Sequence, residues 1–427
     1  MAEETKEQII RCILAGVCTG DEEDFEHSMQ ELGDLAAACG YEVVGIITQK
    51  IEQPSQTFYV GSGKVEEIRE LITFTEADQV IFDDTLTPAQ MRNLGKVLDI
   101  SVYDRTGLIL DIFALRARSR EARLQVETAK LKYMLPRLIG MREALGRQGG
   151  TSGSMSNKGV GETKLELDRR KIEHRISELG KELDEIEKGR ATMRSRRNKT
   201  GIYTVALVGY TNAGKSTILN HMVMRYGAKK DKTVLEKDML FATLETSVRS
   251  LEFDDNRSFL LADTVGFIHK LPHGLVKAFR STLDEVKYAD LLLHVVDYSD
   301  ENHKEHMKVT QETLQEIGAG AIRQILVYNK ADLAGSIEIP KVNGDTIYIS
   351  ASLDKGLEEL SKMIRDILYM EECTGKFLIP YEEGSAASDL MEHTRILKRE
   401  YLPEGLLIES GCKNSYYEKY KKYLFSE

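Results

Sequence analysis

One nine-residue stretch constrains this chain more than any other. Gly209-Tyr210-Thr211-Asn212-Ala213-Gly214-Lys215-Ser216-Thr217 fits the spacing Gly-x-x-x-x-Gly-Lys-[Ser/Thr] without a gap. It follows Ile202-Tyr203-Thr204-Val205-Ala206-Leu207-Val208, a short apolar run suited to a buried parallel strand. A helical stretch opens at Thr217. A strand, a glycine loop and a helix N-terminus gather backbone N–H groups around one anionic pocket. Lys215 then carries positive charge to the β- and γ-phosphates of a nucleotide, and Ser216 offers a hydroxyl to Mg²⁺.

The residues downstream extend this reading. Phe241-Ala242-Thr243 follows a polar, lysine-rich stretch, and Thr243 is the candidate switch threonine for Mg²⁺ and the γ-phosphate. Phe259–Ala262 reads as a strand ending in Asp263-Thr264-Val265-Gly266. Asp263 would hold Mg²⁺ through a water, and the Gly266 N–H would meet the γ-phosphate. Leu291–Asp297 is another buried strand, whose His294 reads as a packed core residue rather than a catalytic one. The strand Ile325–Tyr328 ends in Asn329-Lys330-Ala331-Asp332. Asp332 can accept two hydrogen bonds from guanine, and adenine would leave that buried carboxylate unpaired. Lys330 would lie along the base plane. Ser350-Ala351-Ser352 would donate a backbone N–H to guanine O6.

Length allows two or three domains. A net charge of −11 argues against wholesale nucleic-acid binding, though not against a local basic patch. Five scattered cysteines show no metal-ligand spacing and read as reduced and cytosolic. The N-terminal residues lack a signal pattern, and no run of ~18 apolar residues occurs.

Residues 1–112 alternate strand-like and helix-like runs, which implies a small parallel α/β sheet. Within them Tyr59–Val65 superficially resembles a second phosphate loop, but Val65 stands where a hydroxyl is needed. A turn capping the next helix is the favoured reading, and a weak nucleotide or RNA-backbone contact stays open. Residues 113–147 hold nine basic residues (Arg116, Arg118, Arg120, Arg123, Lys130, Lys132, Arg137, Arg142, Arg147) against Glu121, Glu127 and Glu143. Leu124, Leu131, Leu135 and Leu138 form an apolar helical seam, which Pro136 should kink or interrupt. A glycine-rich loop, 148–161, leads to a second seamed helix carrying Ile172, Ile176, Leu179, Leu183 and Ile186. The two helices are expected to fold back as an antiparallel hairpin. A glycine loop flanked by basic residues suits insertion into folded RNA, which is favoured here over a merely solvated face. In the tail, 376–380 and 405–409 read as strands, and 388–400 and 415–425 as helices.

With these motifs in view, the chain resembles the translation-factor-related P-loop GTPases and, more closely, the HflX family of ribosome-associated GTPases. The distinctive stretches are Phe82–Gln90, Asp104–Phe113, Leu124–Leu138, Gly161-Glu162-Thr163, and Phe267 with Leu271-Pro272-His273. Where the family usually has Pro between the glycines of the hairpin loop, this chain has Val160. The resemblance implies an α/β fold in four parts: an N-terminal parallel α/β domain (1–112), an antiparallel helical hairpin with a glycine-rich loop (113–199), a P-loop GTPase domain (200–370) and a small α+β C-terminal domain (371–427). It implies a cytoplasmic, monomeric, ribosome-associating enzyme that hydrolyses GTP with Mg²⁺. Its partners would be GTP/GDP and the large ribosomal subunit with its rRNA. The implied role is splitting stalled or idle ribosomes under stress; action in subunit assembly or quality control, and a nucleotide-gated adaptor without catalysis, are the alternatives.

Most small GTPases place a water-orienting glutamine where this chain has Phe267, which cannot hydrogen-bond a water. Intrinsic hydrolysis should therefore be slow. The catalytic candidates are Lys215, Thr243, Gly266 and Asn212, the last because related GTPases with Asn there can use K⁺.

Overall fold

The computed structural model describes residues 9–148, 158–200, 202–227, 247–255, 257–270, 285–335, 337–370, 373–412 and 414–425, with side chains left out for 138–148, 158–165 and 193–200. They cluster into two units. One runs to Glu187 and includes His269 and Lys270; the other takes Lys188 onward, with the segment up to Ile268. No helix among the described residues is long and apolar enough to cross a membrane.

The first unit is built on a parallel sheet of order β2-β1-β3-β4: β1 (Arg11–Cys18), β2 (Glu42–Lys50), β3 (Gln79–Phe82) and β4 (Ser101–Asp104). β1 and β3 are central and almost wholly buried, so they read as continuous apolar runs, whereas edge strand β2 is half exposed. Capping sets the helices between them. Asp21 caps α1 (Glu22–Ala38) through the Glu23 N–H. Thr87 and Gln90 form a reciprocal capping box on α3 (Pro88–Leu98), with Pro88 in the first turn. Gly61 caps α2 (Ser62–Thr75), and Val65 is buried in the core beside Ile68, Val80 and Phe82. The Tyr59–Val65 run is thus a turn feeding a helix.

Helix α4 (Arg105–Arg116) is capped by Asp104 and crosses residue 113, so the hairpin begins after Arg116. Its arms are α5 (Arg120–Gln148) and α6 (Lys158–Thr200). Arg120 meets Glu182 at 2.6 Å and Arg175 meets Glu127 at 2.8 Å, so low numbers face high ones and the arms are antiparallel. Leu179 is fully buried, and Leu124 nearly so.

The structure bears on two readings of α5. Pro136 does not interrupt the helix. The residues flanking it are pinned, since Tyr133 Oη donates to Asp104 at 2.6 Å and Arg137 pairs with the same carboxylate at 2.9 Å. Those contacts outweigh the hydrogen bond that proline deletes. Nor is the basic surplus wholly available: Arg120, Lys130 and Arg137 are spent on Glu182, Asp111 and Asp104, all outside 113–147.

The second unit holds a seven-stranded sheet of order β10-β11-β9-β8-β5-β7-β6. Its strands are β5 (Tyr203–Gly209), β6 (Ser247–Glu252), β7 (Ser258–Asp263), β8 (Leu291–Asp297), β9 (Gln324–Asn329), β10 (Lys341–Asn343) and β11 (Thr346–Tyr348). β6 and β10 are antiparallel edges on a parallel core. Alternate residues Val205, Leu207, Leu291, Leu293 and Val295 form one core with α7 (Lys215–Tyr226) and α9 (Leu357–Leu368). Helix α8 (His303–Glu316) lies between β8 and β9 in sequence.

A third sheet, β12 (Cys373–Ile379), β14 (Gly405–Cys412) and β13 (Arg395–Leu402), is antiparallel and carries α10 (Gly384–His393) and α11 (Asn414–Tyr420). Here the expected helix over 388–400 is wrong in its second half. Leu397, Lys398, Arg399 and Glu400 have good helix propensity, but Pro403-Glu404 turns the chain so that Leu402 pairs with Gly405, and β13 zips along β14.

Candidate functional site

The carboxyl ends of β5, β7, β8 and β9 lie at one edge of the seven-stranded sheet, where open α/β sheets bind ligands. Two glycines make the phosphate loop close enough to its neighbours. Gly209 has φ 144°, and a Cβ there would stand 2.1 Å from the Val295 carbonyl oxygen. Gly214 has φ 91°, and a Cβ there would stand 2.1 Å from Asn329 Nδ2. Both positions exclude side chains on conformation and on space.

Lys215 opens α7 and is buried. Its Nζ donates to the carbonyl oxygens of Gly209 at 3.0 Å and Tyr210 at 2.5 Å. Burial pushes its pKa down to about 8, against the opposing pull of Asp263. Ser216 Oγ donates to Asp263 Oδ2 at 2.8 Å. A hydroxyl and a carboxylate this close are the hard oxygen donors that Mg²⁺ takes beside nucleotide phosphates. Among the described residues no cluster of three or more His, Cys, Asp and Glu is placed to hold a metal.

The loop after β7 lies directly on the phosphate loop. Thr211 N–H donates to the Phe267 carbonyl at 2.9 Å, and Phe267 N–H to the Gly209 carbonyl at 3.1 Å. Gly266 makes this approach feasible, since a Cβ there would stand 2.8 Å from Thr211 Cα and 3.0 Å from Lys215 Nζ. The Phe267 side chain is buried, which agrees with packing. Thr264 Oγ1 donates to the Leu207 carbonyl at 2.5 Å and so ties this loop to β5. Val265 is buried. Asn212 is exposed at the tip of the phosphate loop, with φ 58°.

At the base end Asn329 is the keystone. Its Nδ2 donates to the Ala213 carbonyl at 2.9 Å, and its Oδ1 accepts from Ala351 N–H at 2.9 Å. Ala331 is buried and its N–H donates to the Ile349 carbonyl. Lys330 has φ 57° and pairs with Asp297 at 2.7 Å. Asp332 Oδ1 is buried with no partner among the described residues, an acceptor of the kind a guanine edge satisfies. Ser350 N–H is spent on the Lys355 carbonyl and Ala351 N–H on Asn329. Among the three, the Ser350 and Ala351 amides are thus already engaged within the protein.

His294 is buried, and burial, with the nearby charge of Lys215, pushes its pKa down to about 4, so it is a neutral core imidazole. The expected switch residues Phe241, Ala242 and Thr243, the Leu271-Pro272-His273 stretch and residues 149–157 of the hairpin loop lie outside the described residues. Two residues that sequence reasoning missed also shape the site. His306, on α8, stacks on Tyr210 with centroids 3.8 Å apart and planes 9° from parallel. Asp297 anchors Lys330. Neither carries a local signal, since each acts on a motif distant in sequence.

Comparison with known proteins matches the sequence to three family models. They are a GTP-binding GTPase N-terminal region over residues 26–114, a GTP-binding GTPase middle region over 116–197, and a 50S ribosome-binding GTPase over 204–330. The GTPase HflX of Caldanaerobacter subterraneus subsp. tengcongensis is 43% identical over 97% of this chain and 94% of its own. That of Alkalihalophilus pseudofirmus is 45% identical over 95% of each. The chain belongs to the HflX GTPase family. A crystal structure of SsGBP with GDP is 27% identical, with a TM-score of 0.45 over 84% of this chain and 98% of that one. As an HflX-family member the protein is a P-loop GTPase.

Proposed function

We propose that this GTPase binds the large ribosomal subunit and splits stalled or idle ribosomes. The observation that carries the reading is the backbone pairing of Phe267 with Gly209 and Thr211. A γ-phosphate reaching Lys215 must draw its ammonium off the Gly209 and Tyr210 carbonyls and meet the Gly266 N–H, so nucleotide state and the position of this loop are linked. The match over 204–330 to a 50S ribosome-binding GTPase supports the large subunit as partner.

Ser216, with Asp263 behind it and Thr243 from the switch, would hold Mg²⁺, which neutralises phosphate charge when bound. Asp332 and Ser352 would recognise guanine. Phe267 is buried and leaves the attacking water without an orienting glutamine, so hydrolysis by the isolated protein is slow. The ribosome is the candidate for completing the site, an effect typically worth ~10³–10⁵ in rate. Exposed Asn212 suits a K⁺ ion beside the phosphates; equal turnover in K⁺ and Na⁺ buffers would remove that role. The hairpin, through the loop 148–161 and its flanking basic residues, would engage rRNA.

Sedimentation of whole ribosomes through sucrose with a non-hydrolysable GTP analogue tests the proposal. The expected result is loss of the whole-ribosome peak and gain of free subunits. Binding to large subunits with an unchanged whole-ribosome peak would move the function to assembly or quality control. Single-turnover GTP hydrolysis that large subunits fail to accelerate would favour a nucleotide-gated adaptor.

A further inference from the structure

The turn that leads from the end of β8 into α8, Asp297 to His306, touches both ends of the nucleotide site. At the base end Asp297 Oδ2 pairs with Lys330 at 2.7 Å, and the Tyr298 N–H donates to the Asn329 carbonyl at 2.9 Å. The Tyr298 ring stands edge-on to Tyr328 of β9 and Tyr348 of β11, with centroids 5.2 Å from each, so it is packed on both strands that feed the base-side loops. At the phosphate end His306 lies flat on Tyr210, with centroids 3.8 Å apart. Tyr210 is buried and is the one large side chain between Gly209 and Gly214. Its carbonyl oxygen accepts from Lys215 Nζ at 2.5 Å, so holding the ring holds an atom that positions the phosphate-facing ammonium. Between these ends the turn is bonded to itself. Asp297 Oδ1 accepts from the Ser299 N–H at 3.0 Å and hydroxyl at 2.6 Å, and Asp300 Oδ1 from the Asn302 N–H at 2.9 Å. The Asp300 carbonyl accepts from the His303 N–H and the Asn302 carbonyl from the His306 N–H, both at 3.1 Å. Such local side-chain and backbone bonds make a turn stiff.

We infer that Asp297 and His306 are positioning residues that act as one strut: through the turn joining them they set the spacing between the phosphate loop and the guanine-binding loop. A nucleotide has a fixed reach from base to phosphates, so an error in that spacing costs contacts at one end or the other. The Asn329 side chain already bridges the two loops through Ala213 and Ala351. A single bridge leaves the loops free to pivot about it. The strut adds a second tie, at Tyr210 rather than Ala213, and removes the pivot. Loosening either end of the strut frees the same motion, and loosening the other end then adds little. The inference rests on the reading that residues 329–332 hold the base and 209–216 the phosphates, and not on ribosome splitting.

Fluorescent-GDP titration of the full-length protein tests this in wild type, His306→Leu, Asp297→Asn, the double variant and His306→Phe. Each of the first two should weaken GDP by about tenfold, within the range of typical couplings between sites. The double variant should also lose about tenfold, where independent residues would lose roughly a hundredfold. His306→Phe keeps a flat ring on Tyr210 and should stay within about threefold of wild type, whereas leucine fills the space without stacking. Multiplicative losses in the double variant, phenylalanine no better than leucine, or both single variants within about twofold of wild type would each overturn the inference. So would losses that merely track a fall in nucleotide-free stability across the set, read by denaturant unfolding. ADP titrated alongside tests the underlying reading separately: wild type holding ADP as tightly as GDP would remove the base-site assignment itself. No ribosomes enter these measurements, so a failure to split ribosomes leaves them standing.

Discussion

Truncating Asn329 to alanine should damage nucleotide binding far more than the loss of one base contact. In the protein the amide spans two loops, accepting from the Ala351 N–H and donating to the Ala213 carbonyl, both at 2.9 Å. Asn329, Ala213 and Ala351 are each at most 2% exposed. Removal orphans one buried donor and one buried acceptor, at about 1–3 kcal/mol each. Water can enter the nucleotide-free loops and recover part of this, but a bound base closes the site and restores the cost. The close fit of Gly214 against Asn329 Nδ2 adds a small void. A net loss of about 2–4 kcal/mol in binding corresponds to roughly 30- to 1,000-fold weaker GDP. Fluorescent-GDP titration gives the affinity, and denaturant unfolding of the nucleotide-free protein separates a damaged loop from a damaged fold. Affinity within about threefold of wild type, with nucleotide-free stability unchanged, would refute the bridging argument; the threefold margin is under 1 kcal/mol.

Two further outcomes follow from single groups. Asp332→Asn removes an acceptor whose Oδ1 is otherwise unpartnered, so guanine nucleotides should weaken by at least tenfold while xanthine nucleotides, with a carbonyl in place of the amine, gain; competition binding checks the exchange. Lys215 supplies a pH dependence. Its folded pKa, about 8, is below its ordinary 10.5, so between those values the unfolded chain holds the extra proton and stability rises with pH. Nucleotide binding runs the other way, because phosphate favours the charged ammonium. GDP affinity should fall as pH passes about 8, by roughly 30-fold at a point 1.5 units higher, with proton uptake on binding. Calorimetry in two buffers of different ionisation enthalpy reads this directly, and flat affinity without uptake contradicts it.

What sequence could and could not reveal here divides along a physical line. Residues that must touch phosphate or guanine are confined to a few chemical types at strand ends, so Lys215, Ser216, Asp263, Gly266, Asn329 and Asp332 stand out from their neighbours alone. Residues that hold those loops in place face no such restriction. Many aromatic partners could brace Tyr210, and only the fold shows that His306 does. The misread helix over 388–400 has the same origin, since its residues prefer helix locally and become β13 only because β14 offers a partner. The charge surplus of residues 113–147 is likewise partly offset, because three of its cations pair with acids that sequence order keeps apart. Local chemistry therefore gives the reaction class.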